Sequence, residues 1–263
     1  MASNPNFQVK ITPPSESSIT GSNGTVRVDP VGALPGGPLH SWATRIQQFA
    51  LFANISPQDR SLILKETRVR VFSRGQIIYH EGDAVRQVVL LTSGSAKMVQ
   101  CNQNGSEVIL RLCGPGELVG TLRSSMHARY RSTPQALSSG SALVWESGDF
   151  ESLSKRFPTL RRNVAHIHYK QLQDMEERFR EISTQRVAPR LSRQISRLVE
   201  QVGIRSNGSV EIQITREELG QMIGTTLFQV SRLLSEWDRQ RIVTTRRGGF
   251  SVDNLKALAE LID

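Results

Sequence analysis

The stretch from Ile214 to Val252, ITREELGQMIGTTLFQVSRLLSEWDRQRIVTTRRGGFSV, constrains the fold more than any other part of this chain. Two helix starts sit back to back in it. Thr215-Arg-Glu-Glu218 has the form of a capping box, in which the threonine hydroxyl accepts from a backbone N–H and the glutamate reaches back to the cap. Thr226-Leu-Phe-Gln229 repeats that logic, and Gly224 between them takes the sharp turn. The spacing predicts a short helix over about 216–223 and a longer one over about 227–238, a helix-turn-helix. Leu219, Ile223, Val230, Leu233, Leu234 and Trp237 pack the pair together. Thr225, Thr226, Leu227, Phe228, Gln229, Ser231 and Arg232 are left around the start of the second helix, where they would face a DNA major groove. Arg232 is the strongest base reader, because a guanidinium donates two hydrogen bonds to guanine O6 and N7. Residues 242–252 then read as a two-stranded wing with Arg246 and Arg247 at its tip for phosphates.

Upstream, the pattern changes three times. Residues 1 to about 40 are rich in Ser, Asn, Gly and Pro and hold too few apolar side chains to offset the cost of ordering, which predicts a disordered tail. SWATRIQQFALF predicts a short helix with Trp42, Ile46, Phe49 and Leu51 on one face, and SPQDRSLILKE a second one capped by Ser56 with Pro57 at its first position. From Val69 to about Trp145 the chain turns to β-prone runs (VRVF, QIIYH, QVVLLTS, AKMVQC, EVILRLC, ALVWE) broken by glycines, with Asn104-Gly105 as a hairpin turn. Many short strands evenly punctuated by turns predict a jelly roll.

From Thr159 to about Thr184 a long helix carries Leu160, Val164, Ile167, Leu172, Met175, Phe179 and Ile182 in one stripe. Two readings stay open for that stripe: a helix covering its own domain, or a symmetric pair of dimer helices. A hinge over 185–188 and a helix from Pro189 to about Val202 follow. The expected fold is thus α+β: a disordered tail over 1–40, a jelly-roll β-sandwich sensor domain over 41–158, a long dimerisation helix over 159–185, and a winged helix-turn-helix over 186–263.

Composition narrows the function. Thirty-three Lys and Arg against 24 Asp and Glu give a net charge of +9, which favours a polyanionic partner through counterion release. The two cysteines, Cys101 and Cys113, are too few for a disulfide framework or an iron–sulfur site and are expected to be core thiols. The opening residues MASNPNFQVK lack a basic stretch followed by an apolar one, and no later run reaches the ~20 apolar residues of a membrane span, so a cytoplasmic protein with no membrane partner is expected. His127, His166 and His168 are weak candidates for a haem iron. No nucleophile–base pair, carboxylate dyad or metal cluster stands at usable spacing, which argues against an enzyme. The competing class is a regulatory module whose basic C-terminal domain docks to a protein partner.

Over about residues 45–252 the chain resembles the CRP/FNR family of bacterial transcription regulators. The resemblance lies in Gly75, His80-Glu-Gly-Asp83, Ser93-Gly94, Asn104-Gly105-Ser106-Glu107, Gly114-Pro-Gly116, Gly120, ITREELGQMIG and VSRLL. It implies an eight-stranded roll like a cyclic nucleotide-binding domain, a homodimer, contact with RNA polymerase, and near-palindromic double-stranded DNA operators with half-sites about one helical turn apart. It makes Arg216, next to the capping Thr215, the phosphate contact and Arg232 the guanine reader, with Ser231 similar to the serine of the FNR branch. Phe228 departs from the family, which places there a glutamate that accepts from cytosine; a phenyl ring can instead meet a thymine methyl. In the family's cyclic AMP cassette a Gly-Glu pair is followed about ten residues on by Arg-Ser. This chain keeps Gly120, Arg131 and Ser132 but has Thr121 for the glutamate, and Met175 and Glu176 where the dimer helix offers a Thr-Ser pair to adenine. Loss of a buried carboxylate–hydroxyl bond costs on the order of 1.5–3 kcal/mol, which argues against tight cyclic AMP binding and leaves two readings open: a site for another cyclic nucleotide or small anionic effector, drawn by Arg129 and Arg131, or a degenerate pocket packed shut by its own side chains.

Overall fold

The computed structural model describes residues 46–102, 104–105, 107–120, 128–206 and 208–262. The expected tail, Trp42, Ser106, Thr121 and His127 lie outside them. The described chain opens with two 3₁₀ turns, Ile46–Gln48 and Ala50–Phe52, where the sequence predicts one helix. Phe49 between them is extended (φ −77°, ψ 135°), so the ladder breaks and Ile46, Leu51 and Phe52 all turn inward instead of sharing a helical stripe. Helix α1 (Pro57–Lys65) starts as predicted: the Ser56 side chain accepts from the Asp59 N–H at 3.1 Å, and Pro57 stands where no intrahelical donor is needed.

The N-terminal half is β-rich. Strands β1 (Arg68–Phe72), β2 (Gln87–Ser93), β3 (Ala96–Cys101), β4 (Glu107–Cys113), β5 (Leu118–Val119), β6 (Thr133–Ala136) and β7 (Gly140–Glu146) form two antiparallel sheets, ordered β1-β7-β2-β5 and β4-β3-β6. The hairpin between β3 and β4 turns through Asn104 and Gly105, the latter at φ +77°. Among the described residues of this half there are seven strands rather than eight. QIIYH makes only an isolated bridge, Ile77 to Gln135, because it runs beside Pro134, which accepts from the Ile78 N–H but has no N–H to return.

β2 shows why this half is layered. Its residues 88–91 are all buried, with Val88 and Leu90 facing a core of helices while Val89 and Leu91 face the inside of the roll. β7 does the same with Leu143 and Trp145 on one side and Ala142 and Val144 on the other. Trp145 is the centre of the helix-side core: its ring meets Phe150 edge-on at 5.4 Å, and its indole N–H donates to the Ile63 carbonyl at 3.1 Å.

Helix α2 (Ser147–Arg156) leads into α3 (Pro158–Thr184), the predicted long helix. Its stripe divides. Leu160 and Val164 are buried in the helix-side core, whereas Leu172, Met175, Phe179 and Ile182 are exposed. The first part of the stripe thus covers its own domain, as one of the two readings has it, and the second part faces away from that core. Helix α4 (Val187–Gln201) follows after two residues, and the junction is clamped: Glu181, buried near the end of α3, takes a bidentate pair from Arg197 of α4, and Arg190 donates to the Ile182 carbonyl at 3.0 Å.

The C-terminal part holds β8 (Ile204–Ser206), β9 (Ser209–Ile212), α5 (Arg216–Ile223), α6 (Leu227–Arg239), β10 (Val243–Arg246), β11 (Gly249–Val252) and α7 (Leu255–Glu260), with a four-stranded sheet ordered β10-β11-β9-β8. Its apolar cluster also takes in Val99, Ile109 and Leu112 from β3 and β4. The core of this part is therefore closed by the outer face of the roll.

Truncating the largest buried side chain of the roll should be severe. Trp145→Ala is expected to lower the unfolding free energy by about 3–5 kcal/mol, read as a lower denaturation midpoint by circular dichroism.

Candidate nucleic-acid interface

The helix pair forms because each of its ends is satisfied locally. Thr215 Oγ1 accepts from the Glu218 N–H at 3.1 Å, and Glu218 Oε2 accepts from the Thr215 N–H at 2.9 Å, which completes the predicted capping box. The second box is only half made: Thr226 accepts from the Gln229 N–H at 3.4 Å, but the Gln229 side-chain oxygen takes the Thr225 hydroxyl instead of returning to the cap. Gly224 ends α5 at φ +63°. Gly220 is needed for a different reason, since a Cβ there would lie 2.8 Å from the Thr225 carbonyl oxygen, the atom over which the chain doubles back.

Leu219, Ile223, Val230, Leu233, Leu234 and Trp237 are all buried. What they leave outside is the start of α6: Thr226, Leu227, Phe228, Gln229 and Arg232 are exposed, Phe228 by 82%, while Thr225 and Ser231 are half-buried. The Arg232 guanidinium has no hydrogen-bond or ion-pair partner among the described residues.

The wing is held to this helix pair by Asp238 near the end of α6, whose carboxylate accepts from the Thr245 N–H at 3.1 Å and hydroxyl at 2.6 Å. Those two bonds, with Arg216 nearby, hold its pKa below the ordinary aspartate range. An open cleft of about 570 Å³ lies between the start of α5 and the wing, lined by Thr215, Arg216, Leu227, Arg246, Arg247 and Phe250 among others. The fold thus gathers residues as far apart in sequence as Thr215 and Phe250 into one groove, with three arginines and Glu217 on its lining. Arg247 stands at the wing tip and exposed, whereas Arg246 ends β10 and pairs with Glu211 of β9 at 2.7 Å. Sequence alone did not foretell that pairing, because β8 and β9 were not read as strands.

Glu218 does more than cap. Its Oε1 lies 2.7 Å from Nζ of Lys97 on β3, with the two side chains only 15% and 12% exposed. Burial alone raises its pKa, but the Lys97 bond and charge and the Thr215 bonds outweigh it and hold the carboxyl below its ordinary range. No local pattern around Lys97 could have announced this contact, since its partner is 121 residues away.

The effector candidates are less well assembled. Ser132 is buried and Arg131 exposed, while Met175 and Glu176 stand on the exposed stretch of α3, with no hydrogen bond or ion pair linking them to Arg131 or Ser132. Gly120, at φ +93°, is overlaid by Tyr79: a Cβ added to it would collide with the phenol oxygen. That oxygen is buried without a partner, and the ring stacks on Tyr130 at 3.5 Å.

Cys113 is a core thiol as expected, its pKa pushed up to about 12 by burial, but Cys101 is exposed at the end of β3 beside the hairpin. Of the histidines, His166 is exposed and His168 lies 3.2 Å from Gln171, with burial holding its imidazole below the usual range. Among the described residues no group of three or more His, Cys, Asp or Glu is placed to hold a metal, and no helix is long and apolar enough to cross a membrane.

The two turn glycines should differ in effect. Gly224→Ala is expected to cost about 1–2 kcal/mol through backbone strain alone, and Gly220→Ala more, since it must move a backbone carbonyl. Thermal unfolding of both variants, with a midpoint shift of roughly 2–4 °C per kcal/mol, checks the order.

Residues 69–157 match the family model described as a cyclic nucleotide-binding domain, and residues 185–261 match the Crp-like helix-turn-helix domain. Among curated relatives, the cyclic AMP receptor protein of Thermus thermophilus is 25% identical over 211 residues, which is 80% of this chain and 95% of that protein. The fumarate and nitrate reduction regulatory protein of Yersinia pestis is 24% identical over 196 residues, 74% of this chain and 78% of that protein. In fold, FixK2 from Bradyrhizobium japonicum superposes with a TM-score of 0.67 at 18% identity, covering 75% of this chain and 98% of that one. With both domain models matched in this order along one chain whose β-rich half leads into an exposed, capped helix-turn-helix, the protein belongs to the CRP/FNR family of transcription regulators.

Proposed function

We propose that the chain works as a homodimer that reads a near-palindromic DNA operator, with α6 in the major groove and the start of α5 and the wing on the flanking phosphates. The outward face of α6 carries this reading: an unpaired Arg232 and a nearly bare Phe228 stand together at the start of a helix whose other side is fully buried. A large apolar ring left in water at that place is explained by a surface that covers it. Arg232 reads guanine, and Phe228 meets a thymine methyl in place of the family's usual acceptor. Gln229, its carbonyl tied by Thr225, offers only its NH₂, and Thr226, Leu227 and Ser231 complete the contact. Thr215, Arg216 and Arg247 hold phosphates, with Arg246 a weaker contact because Glu211 partly neutralises it.

Dimerisation is supported by the second half of α3, where Tyr169, Leu172, Met175, Phe179 and Ile182 recur every three or four residues and all are exposed, Phe179 by 74%. A self-complementary stripe of this kind fits a two-fold partner. In this reading residues 41–158 are the sensor domain, 159–185 the dimer helix and 186–263 the reading head, and the protein acts in the cytoplasm through RNA polymerase, with no chemistry of its own. The sensor takes a small anion other than cyclic AMP, or none. Tyr79 over Gly120, the threonine at position 121, and Met175 and Glu176 in place of a Thr-Ser pair all speak against a cyclic AMP site built like that of the responsive relatives.

Selection from a random duplex pool by the purified protein, with and without cyclic nucleotides at fixed salt, tests this. A two-fold palindrome should be enriched, and cyclic AMP should not be required; enrichment of no sequence under any condition would refute DNA reading. On the selected operator, Arg232→Ala should cost about 1–3 kcal/mol and flatten the preference at one guanine. Replacing the thymine that faces Phe228 by uracil should weaken the wild type and leave Phe228→Ala indifferent.

A further inference from the structure

The reading head is attached to the sensor at several points on one strand pair. Val99, Ile109 and Leu112 enter the head's apolar core. At the end of β4 Gly114 approaches the Gln201 carbonyl of α4 so closely that a Cβ would not fit, and on the same strand the Leu110 carbonyl accepts from Arg178 of the long helix α3 at 2.6 Å. Apolar contact supplies adhesion, but it is non-directional and tolerates sliding.

The Lys97–Glu218 pair differs in kind. One oxygen of the carboxylate receives Lys97 at 2.7 Å, and the other receives the Thr215 N–H and hydroxyl at 2.9 and 3.0 Å, so its orientation is fixed from both sides. The same side chain therefore belongs to the cap of α5 and to the sensor sheet. The start of α5 also lines the basic cleft and packs against α6. A change in the angle of α5 displaces Arg216 and the face of α6 together. Buried ion pairs contribute little net stability because desolvation offsets attraction, and geometry is what such a pair can supply.

We infer that Lys97 is a positioning residue for DNA reading: its ion pair with Glu218 sets the angle at which the sensor sheet presents the helix-turn-helix, and so the separation of the two heads in a dimer. This rests on the dimeric DNA reading proposed above. The pair forms while Phe228 and Arg232 are exposed, so it holds the head in an arrangement open to DNA. The coupling is direct, from sheet to head, and does not pass through the clamped junction of α3 and α4.

Two substitutions break the pair without removing the cap. Lys97→Met keeps the length of the side chain, and Glu218→Gln keeps a capping box, which accepts either residue. The full-length proteins are titrated with the selected operator and with versions whose half-sites are one base pair closer or farther apart. The wild type should prefer one spacing by at least about tenfold; each variant should reduce that to about two- or threefold, and the double variant should do no more than either single one. Each single variant leaves one charge without its partner and should lower the thermal midpoint, the double variant should recover most of that loss, and affinity for a single half-site should change less than about twofold. Unchanged spacing preference in both variants overturns the positioning role and leaves the DNA reading intact. Equal loss at every spacing, in the double variant as in the single ones, also overturns it, since the pair would then be merely structural. A wild type that binds no spacing at all removes the DNA reading itself and this inference with it.

Discussion

The apolar core shared by the roll and the reading head is the constraint on which the rest depends. Leu191, Ile195 and Leu198 of α4, Leu219 and Ile223 of α5, and Val230, Leu234 and Trp237 of α6 could close a small core around themselves. Instead Val99, Ile109 and Leu112, from the outer face of β3 and β4, complete it. A head of this size is marginal alone, because small domains bury a smaller share of their surface. Leaning on a neighbouring sheet supplies the missing area and makes the head's position a property of the sensor. The polar contact across the same boundary, Lys97 on Glu218, then has a body to orient, while Arg178 on Leu110 ties α3 to the roll and the Glu181–Arg197 clamp ties α3 to α4.

Within the head, polarity is divided with little overlap. One side of α6 is buried, and the other keeps Phe228 and Arg232 in water. Three acids of the head are taken up in structural tasks: Glu218 caps α5 and meets Lys97, Asp238 holds the wing through Thr245, and Glu211 pairs with Arg246 at the surface, while Glu217 stays exposed on the lining of the cleft. Arg232 and Arg247 remain without an acidic partner among the described residues, so arginines outnumber free acids at the start of α6 and the wing tip. This is how a modest net charge becomes a directed field.

Much of this was legible in the sequence, and the reason differs by element. The helix-turn-helix was readable because its signals are local: Thr215, Glu218, Gly224 and Thr226 act within one or two turns, and the structure puts α5 and α6 within a residue of their expected ends. The strands with alternating or continuous apolar runs were readable for the same reason. TPQA became β6 only because β3 lies beside it, and a strand of two residues at Leu118–Val119 leaves no period to detect. QIIYH has the composition of a strand but the wrong neighbour in Pro134, and the opening helix fails at Phe49, where packing overrides propensity. At the interface, exposure of Phe228 and Arg232 followed from the periodicity of α6, whereas the pairing of Arg246 with Glu211 and of Lys97 with Glu218 depends on tertiary placement across long sequence separations. The packing of Tyr79 over Gly120 was not legible, because it reflects how one ring lies on a turn and not any motif.

The claim at the centre of this account is that two copies present their α6 helices to one face of a duplex. Hydroxyl-radical footprinting of the protein on its selected operator addresses it most directly. The account predicts two protected stretches related by the operator dyad, centred about one helical turn, ~34 Å, apart on the same face. A single protected stretch, or protection without a dyad, would contradict it.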